Sequence, residues 1–210
     1  MSSQPFRNKV MTELELRALV GTPGEIAAAK QVAALDRYAR EFIAHAPYVL
    51  IATSDASGKC DVSPKGDEAG FVVVLDETHL VIPDRPGNKR VDGMRNILAK
   101  PYVGLLFLVP GRDETLRVNG RAWLVRDEEL LDRTAVRGKR PQIAIGVEVE
   151  EVFMHCGKAS LRSNLWRPSR WPDVSDLQSA ACMLLAHARP EGMTLEQMER
   201  RLSDDKDRLY

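Results

Sequence analysis

The 210-residue chain is long enough for one substantial domain with its own core. Thirty Lys and Arg balance thirty Asp and Glu, and this zero formal charge argues against the broad basic surface of a general nucleic-acid binder. Hydrophobic content of 44% suits a soluble globular protein, and no apolar run approaches the ~20 residues that span a bilayer.

The opening MSSQPFRNKVMTELELRALV lacks the apolar core of a secretory signal. Cys60, Cys156 and Cys182 are odd in number and form no CxxC pair, which fits a reducing, cytoplasmic setting with the cysteines as buried spectators. Leu14, Leu16, Leu19 and Val20 predict a first helix, broken at Gly21-Thr22-Pro23-Gly24. Ala33, Leu35, Tyr38, Phe42 and Ile43 predict a second, stopped near Ala46-Pro47.

From Tyr48 the period changes to that of strands. YVLIAT (48–53), CDVSPKG (60–66), FVVVL (71–75), HLVIP (79–83), YVGLLFLV (102–109) and TLRVNGRAWLV (115–125) are β-rich, most of them separated by turn residues. Hairpin-length gaps imply antiparallel neighbours. QIAIGVEVEEVFMHC (142–156) alternates, then slips at Glu150-Glu151, which predicts a bulge in a long bent strand. Six or seven such strands favour a closed barrel over a sandwich.

Two helices are predicted within the β region: one from Asn88 as N-cap to the stop at Pro101, and one over Asp127 to Arg137. Two more follow, over 175–189 and 194–202, the latter opened by a Thr194/Gln197 capping box with Met193 and Met198 as a staple. The fold class is therefore α+β, mostly β with flanking helices. The expected organisation is N-terminal helices over 1–47 packing on a barrel over 48–166, with a helical appendage over 167–210.

Three places carry candidate chemistry. VIPDRPGNKRVDGMRNIL (81–98) sets Arg85, Lys89, Arg90 and Arg95 around a Pro-Gly turn. If Lys89 and Arg90 occupy the first turn of a helix, they oppose its dipole unless an anion binds there, with Asn88 capping the helix while its amide donates to the anion. Pairing with Asp84 or Asp92 is the bland alternative. In VSPKGDEAGF (62–71), Pro64 belongs on an edge strand that can aim Ser63 and Lys65 at a ligand, or simply carry Lys65 as a guard against aggregation. Lys158, Arg162, Arg167 and Arg170, interleaved with Trp166 and Trp171, suit either a planar anion or a solvated tail or dimer contact. Phosphate-loop, dinucleotide, nucleophile-elbow and zincin motifs are absent, and the four histidines lack metal-ligand spacing. RGKRP (137–141) reads as a solvated loop.

The run IPDRPGNKRVDGMRNILAKPYVGLLFLV followed by LRVNGRA resembles the pyridoxamine 5′-phosphate oxidase-like FMN-binding split-barrel proteins. The matching pieces are Gly87-Asn88-Lys89-Arg90, Pro101 to Phe107, and Val118-Asn119-Gly120-Arg121-Ala122, with SPKGD and RSxLW pointing to one uncharacterised branch. The resemblance implies an antiparallel split barrel and a homodimer with FMN at the subunit interface. It implies that Lys89 and Arg90 hold the FMN phosphate, with Asn88 in the family's serine position and Arg85 in the same basic turn. It places Ser63, Pro64 and Lys65 on the strand that passes the flavin, Arg117 near the ring, and Arg162 and Trp166 at the basic-aromatic exit. Asp61 to Lys65 departs from the oxidase's Arg-x-Val-Leu-Leu-Lys strand, and the C-terminal Arg-x-His pattern is missing, so pyridoxamine phosphate is not the implied substrate.

The expected activity is that of an FMN-dependent oxidoreductase acting with a small-molecule donor or substrate, with no metal and no residue singled out as a catalytic acid or base. The alternative is a non-catalytic flavin or haem carrier or redox sensor on the same barrel, for which His79 or His155 would be the axial ligand. A third reading, an interaction protein using its terminal helices, predicts no cofactor.

Overall fold

Alternating burial along Tyr48–Ser54 (β1) puts Val49, Ile51 and Thr53 inside. The same two-residue period builds Cys60–Gly66 (β2), His79–Pro83 (β4), Tyr102–Leu108 (β5), Thr115–Val125 (β6) and Ala144–His155 (β7). A two-residue strand, Val73–Val74 (β3), completes the set and is all that forms of the predicted 71–75 strand. The computed structural model describes residues 5–206 and 209–210.

All seven strands pair antiparallel in one sheet, ordered β2-β1-β5-β6-β7-β4-β3. The order runs from β2 at one edge to β3 at the other, so the hydrogen-bonded ladder does not close, and the fold is an α+β split barrel. The expectation of a closed barrel is corrected to this extent.

The predicted bulge lies where the alternation slips. Asn119 faces Glu151 and Gly120 faces Val149, which leaves Glu150 as the extra residue of β7. Gly120 is forced here, because a Cβ at that position would lie 2.0 Å from the Glu148 carbonyl oxygen.

Arg37–His45 (α3) starts at Asp36, whose carboxylate accepts from the Ala39 N–H at 2.8 Å, later than the apolar pattern from Ala33 suggested. It buries Ala39 and Ile43 in the main core with Leu35, Val49, Leu80, Ile82, Leu105, Phe107 and Val118. Val32 pairs with Val152 on β7 and leads the chain into this core. Asp92–Ala99 (α4) adds Ile97 and is tied to β1 by Asn96 Nδ2, which donates to Thr53 Oγ1 at 3.0 Å.

The chain divides into two compact units, Met1–Gln31 and Val32–Tyr210. The first holds Glu13–Val20 (α1), capped by the Thr12 hydroxyl, and Glu25–Ala29 (α2), and neither helix buries a residue. In the second, Glu128–Arg133 (α5) and Lys158–Ser163 (α6) flank β7, and α5 is shorter than predicted. Ala180–Ala188 (α7) begins at the Ser179 cap rather than at 175 and packs on Leu195–Lys206 (α8). The Thr194/Gln197 capping box forms in both directions, at 2.9 and 3.3 Å, and Met198 is buried. Among the described residues no helix is long and apolar enough to cross a membrane. Cys60 and Cys156 are exposed and Cys182 is half-buried, so the cysteines are not core residues.

Candidate functional site

Pro64 cannot donate to a ladder, and β2, which carries it, is an edge of the sheet. Its pleat exposes Cys60, Val62 and Pro64 and turns Asp61, Ser63 and Lys65 inward. Facing it across the open side of the sheet is the segment after β4, Asp84 to Arg90, followed by α4. Between them lies a cleft of about 850 Å³. The loop from Val136 to Ile143 and Ile145 at the start of β7 also line it, as does Tyr210.

Seven of the ten residues that the family resemblance implies for the cofactor meet in this cleft: Ser63, Pro64, Lys65, Arg85, Asn88, Lys89 and Arg90. Lys139 and Arg140 join them, so the lining holds six cations against the three carboxylates Asp61, Asp84 and Asp92. The excess is positive although the whole chain is neutral.

The basic turn differs from its predicted form. The helix starts at Asp92, not after Asn88, and Lys89 and Arg90 lie in the loop ahead of it. Asn88 does not cap the helix; its side-chain oxygen accepts from the Arg90 N–H at 3.0 Å and closes an Asx turn. Lys89 (φ 60°) and Val91 (φ 52°) both take left-handed backbone, and a β-branched valine there is strained. Val91 is the N-cap position and no side chain caps α4, which leaves its first N–H groups without a side-chain acceptor at the lining of the cleft. Gly93, in that first turn, brings the helix against β1 and β2: a Cβ there would lie 3.5 Å from Asp61 Oδ2.

The cations differ in how free they are. Arg90 Nε is 2.7 Å from Asp92 Oδ2 at the surface, which is the bland pairing considered above. Lys65 Nζ donates to Asp84 Oδ1 at 2.6 Å. Arg85 Nε donates to Asp67 Oδ2 at 2.5 Å, and the Asp67 side chain is only 2% exposed. Asp67 also accepts from Tyr210 Oη at 2.5 Å and from the Glu68 N–H at 2.8 Å. Burial pushes the Asp67 carboxyl up, but these three donors outweigh it and hold it below its ordinary value. The same hydrogen bond raises the Tyr210 phenol. Among the described residues Lys89 makes no salt bridge.

Arg117, Arg162 and Trp166 stand outside the cleft. Arg117 lies on β6 with its guanidinium 5.2 Å from the Phe153 ring centroid. Arg162 is on α6 and Trp166 just beyond it. His79 opens β4, 3.0 Å from Asp76, and His155 ends β7; neither lines the cleft.

RGKRP is the exposed loop that was expected as far as Arg140, but its Lys139 and Arg140 also line the cleft, and the signal for them was their position just before the long strand. Asp67 was visible in SPKGD without a role. For Tyr210 the sequence carried no signal, since its partner lies 143 residues away.

Among solved structures the chain is similar to HupZ from Group A Streptococcus, at 19% identity over 57% of this chain and 92% of that one, with a TM-score of 0.46. It is also similar to HutZ, the haem storage protein of Vibrio cholerae, at 15% identity over 58% and 93% with a TM-score of 0.41. The FAD binding protein from Mycobacterium smegmatis is similar at 14% identity over 58% and 95% with a TM-score of 0.39. No curated protein matches the chain. The family model described as pyridoxamine 5′-phosphate oxidase matches residues 35–156, which span all seven strands and the basic turn. By that match over more than half its length, the chain belongs to the pyridoxamine 5′-phosphate oxidase-like split-barrel family.

Proposed function

We propose that the cleft binds FMN and that the protein is an FMN-dependent oxidoreductase. The observation that carries this reading is the strained Asn88–Val91 turn, which sets Lys89 and Arg90 ahead of the uncapped N-terminus of α4 at the cleft. Backbone N–H groups, helix dipole and cations then all favour one dianion, such as the phosphate of a flavin nucleotide. The cleft's volume is in the upper part of the range that takes a cofactor-sized molecule.

Bound flavin would supply hydride and electron transfer, and the chain's own task is to hold and orient it. Lys89, Arg90 and the Asn88 amide would take the phosphate. Lys65 and Ser63 on β2 would face the rest of the molecule, with Lys65 kept in place by Asp84. Arg85, Lys139 and Arg140 leave cationic character at the other end for an acidic group of the donor or substrate.

A homodimer is part of this reading. Pro64, Leu50 and Leu106 stand directly opposite one another on β2, β1 and β5, and Arg117 and Phe153 continue the row on β6 and β7. Val62, on the same face, is 57% exposed. Covering this apolar row with a second copy would bring Arg117 to the interface; Arg162 and Trp166 remain the residues of the basic-aromatic exit. Neither histidine that the haem alternative names, His79 or His155, lines the cleft.

The test is the visible spectrum of the purified protein, as isolated and on titration with FMN, followed by anaerobic addition of NADPH or NADH. Flavin bands and a stoichiometric end point support the cofactor, and bleaching by a donor supports the oxidoreductase. A flavin that no donor reduces favours a carrier, and a Soret band favours the haem module.

A further inference from the structure

Tyr210 lies far beyond the residues matched by the family model, yet it lines the cleft. Three contacts hold it. Its phenol donates to Asp67 Oδ1 at 2.5 Å, and Lys139 Nζ donates to its backbone oxygen at 2.8 Å. The Arg137 guanidinium carbon is 4.8 Å from its ring centroid. Asp67 is buried and gives its second oxygen to Arg85. Tyr210 thus shares one buried carboxylate with Arg85 and occupies a donor of Lys139. Two of the six cations of the cleft are engaged, directly or through Asp67, in an intramolecular contact.

We propose that Tyr210 is an intramolecular competitor for the anion-binding end of the cleft. A phosphate-bearing small molecule that enters between Arg85 and Lys139 displaces it. The cation–π contact at a partly open site is modest, while the phenol bond to the Asp67 carboxylate and the bond from the Lys139 ammonium are each charge-assisted. A phosphate that takes charge-assisted bonds from two cations is the stronger partner. The inference rests on the reading of the cleft as a site for phosphate-bearing ligands, and not on the identity of the cofactor as FMN.

The test uses the full chain, Tyr210→Phe and Tyr210→Ala, with inorganic pyrophosphate as the probe in calorimetry. Tyr210→Phe is expected to bind pyrophosphate roughly ten- to hundredfold more tightly, the change that follows from losing one competing hydrogen bond to a carboxylate, and Tyr210→Ala at least as tightly. In protein labelled with 3-fluorotyrosine, the ¹⁹F resonance missing from Tyr210→Phe is expected to shift when pyrophosphate saturates the wild type. Unchanged or weaker binding in both variants, no binding by any of the three proteins, or an unmoved resonance at saturation overturns the proposal. A parallel FMN titration separates the two claims. A protein that shows the pyrophosphate behaviour but takes no FMN loses the FMN reading and keeps the role of Tyr210.

Discussion

Lys65 on the edge strand β2 and Asp84 just after β4 meet at 2.6 Å across the open side of the sheet. No strand pairing joins β2 to β4 in the sheet order, so this ion pair ties the two walls of the cleft where the ladder does not. Both side chains are about three-quarters covered, at 23% and 28% exposure. A double-mutant cycle with Lys65→Met and Asp84→Asn, followed by urea unfolding, is expected to give a coupling of about 1 kcal/mol. Additive effects would show that the walls are held by packing alone.

The bulge at Gly120 is a harder constraint. A methyl group there meets the Glu148 carbonyl oxygen, which is backbone and has no rotamer to escape into. Gly120→Ala is expected to destabilise by about 1–3 kcal/mol or more. Its urea midpoint should fall well below that of Gly138→Ala, where nothing lies within 4 Å but the positive φ of 73° still adds some strain. Equal midpoints would mean that β7 can shift its bulge.

Asp67 gives a pH dependence with a fixed sign. Its folded-state value lies below the ordinary carboxylate value, so its contribution is complete above about pH 4 and is lost as pH falls through the folded value. Wild type is expected to lose stability on acidification below about pH 4. Asp67→Asn should be less stable at pH 7 but should lose less between pH 4 and pH 2.5. Parallel acid profiles would place the acid sensitivity elsewhere.

The sequence pattern read the sheet well because burial and alternation are local. β2, β4 and β6 start and stop where turn residues and the period-2 pattern put them, and the slip at Glu150-Glu151 marked the bulge. The start of α4 was misread because Asn88 has the chemistry of a helix cap, while the left-handed Lys89 and Val91 that delay the helix follow no propensity. The same strain makes the turn a candidate site. Lys139, Arg140 and Tyr210 were missed for a different reason: the fold, not the local pattern, brings them to the cleft. Lys139 meets Tyr210 from 71 residues away and Tyr210 meets Asp67 from 143, and the sequence around all three looks like ordinary polar surface.

The central claim is that the basic turn holds a flavin phosphate, and the most direct measurement is the FMN affinity of wild type against Lys89→Ala/Arg90→Ala by fluorescence titration, with thermal melts alongside. Charge-assisted bonds contribute about 1.5–3 kcal/mol each, so the double variant is expected to bind at least about tenfold more weakly with its melting temperature unchanged within about 3 °C. FMN bound equally well by both proteins would contradict the phosphate assignment, and no binding by either would contradict the FMN site itself.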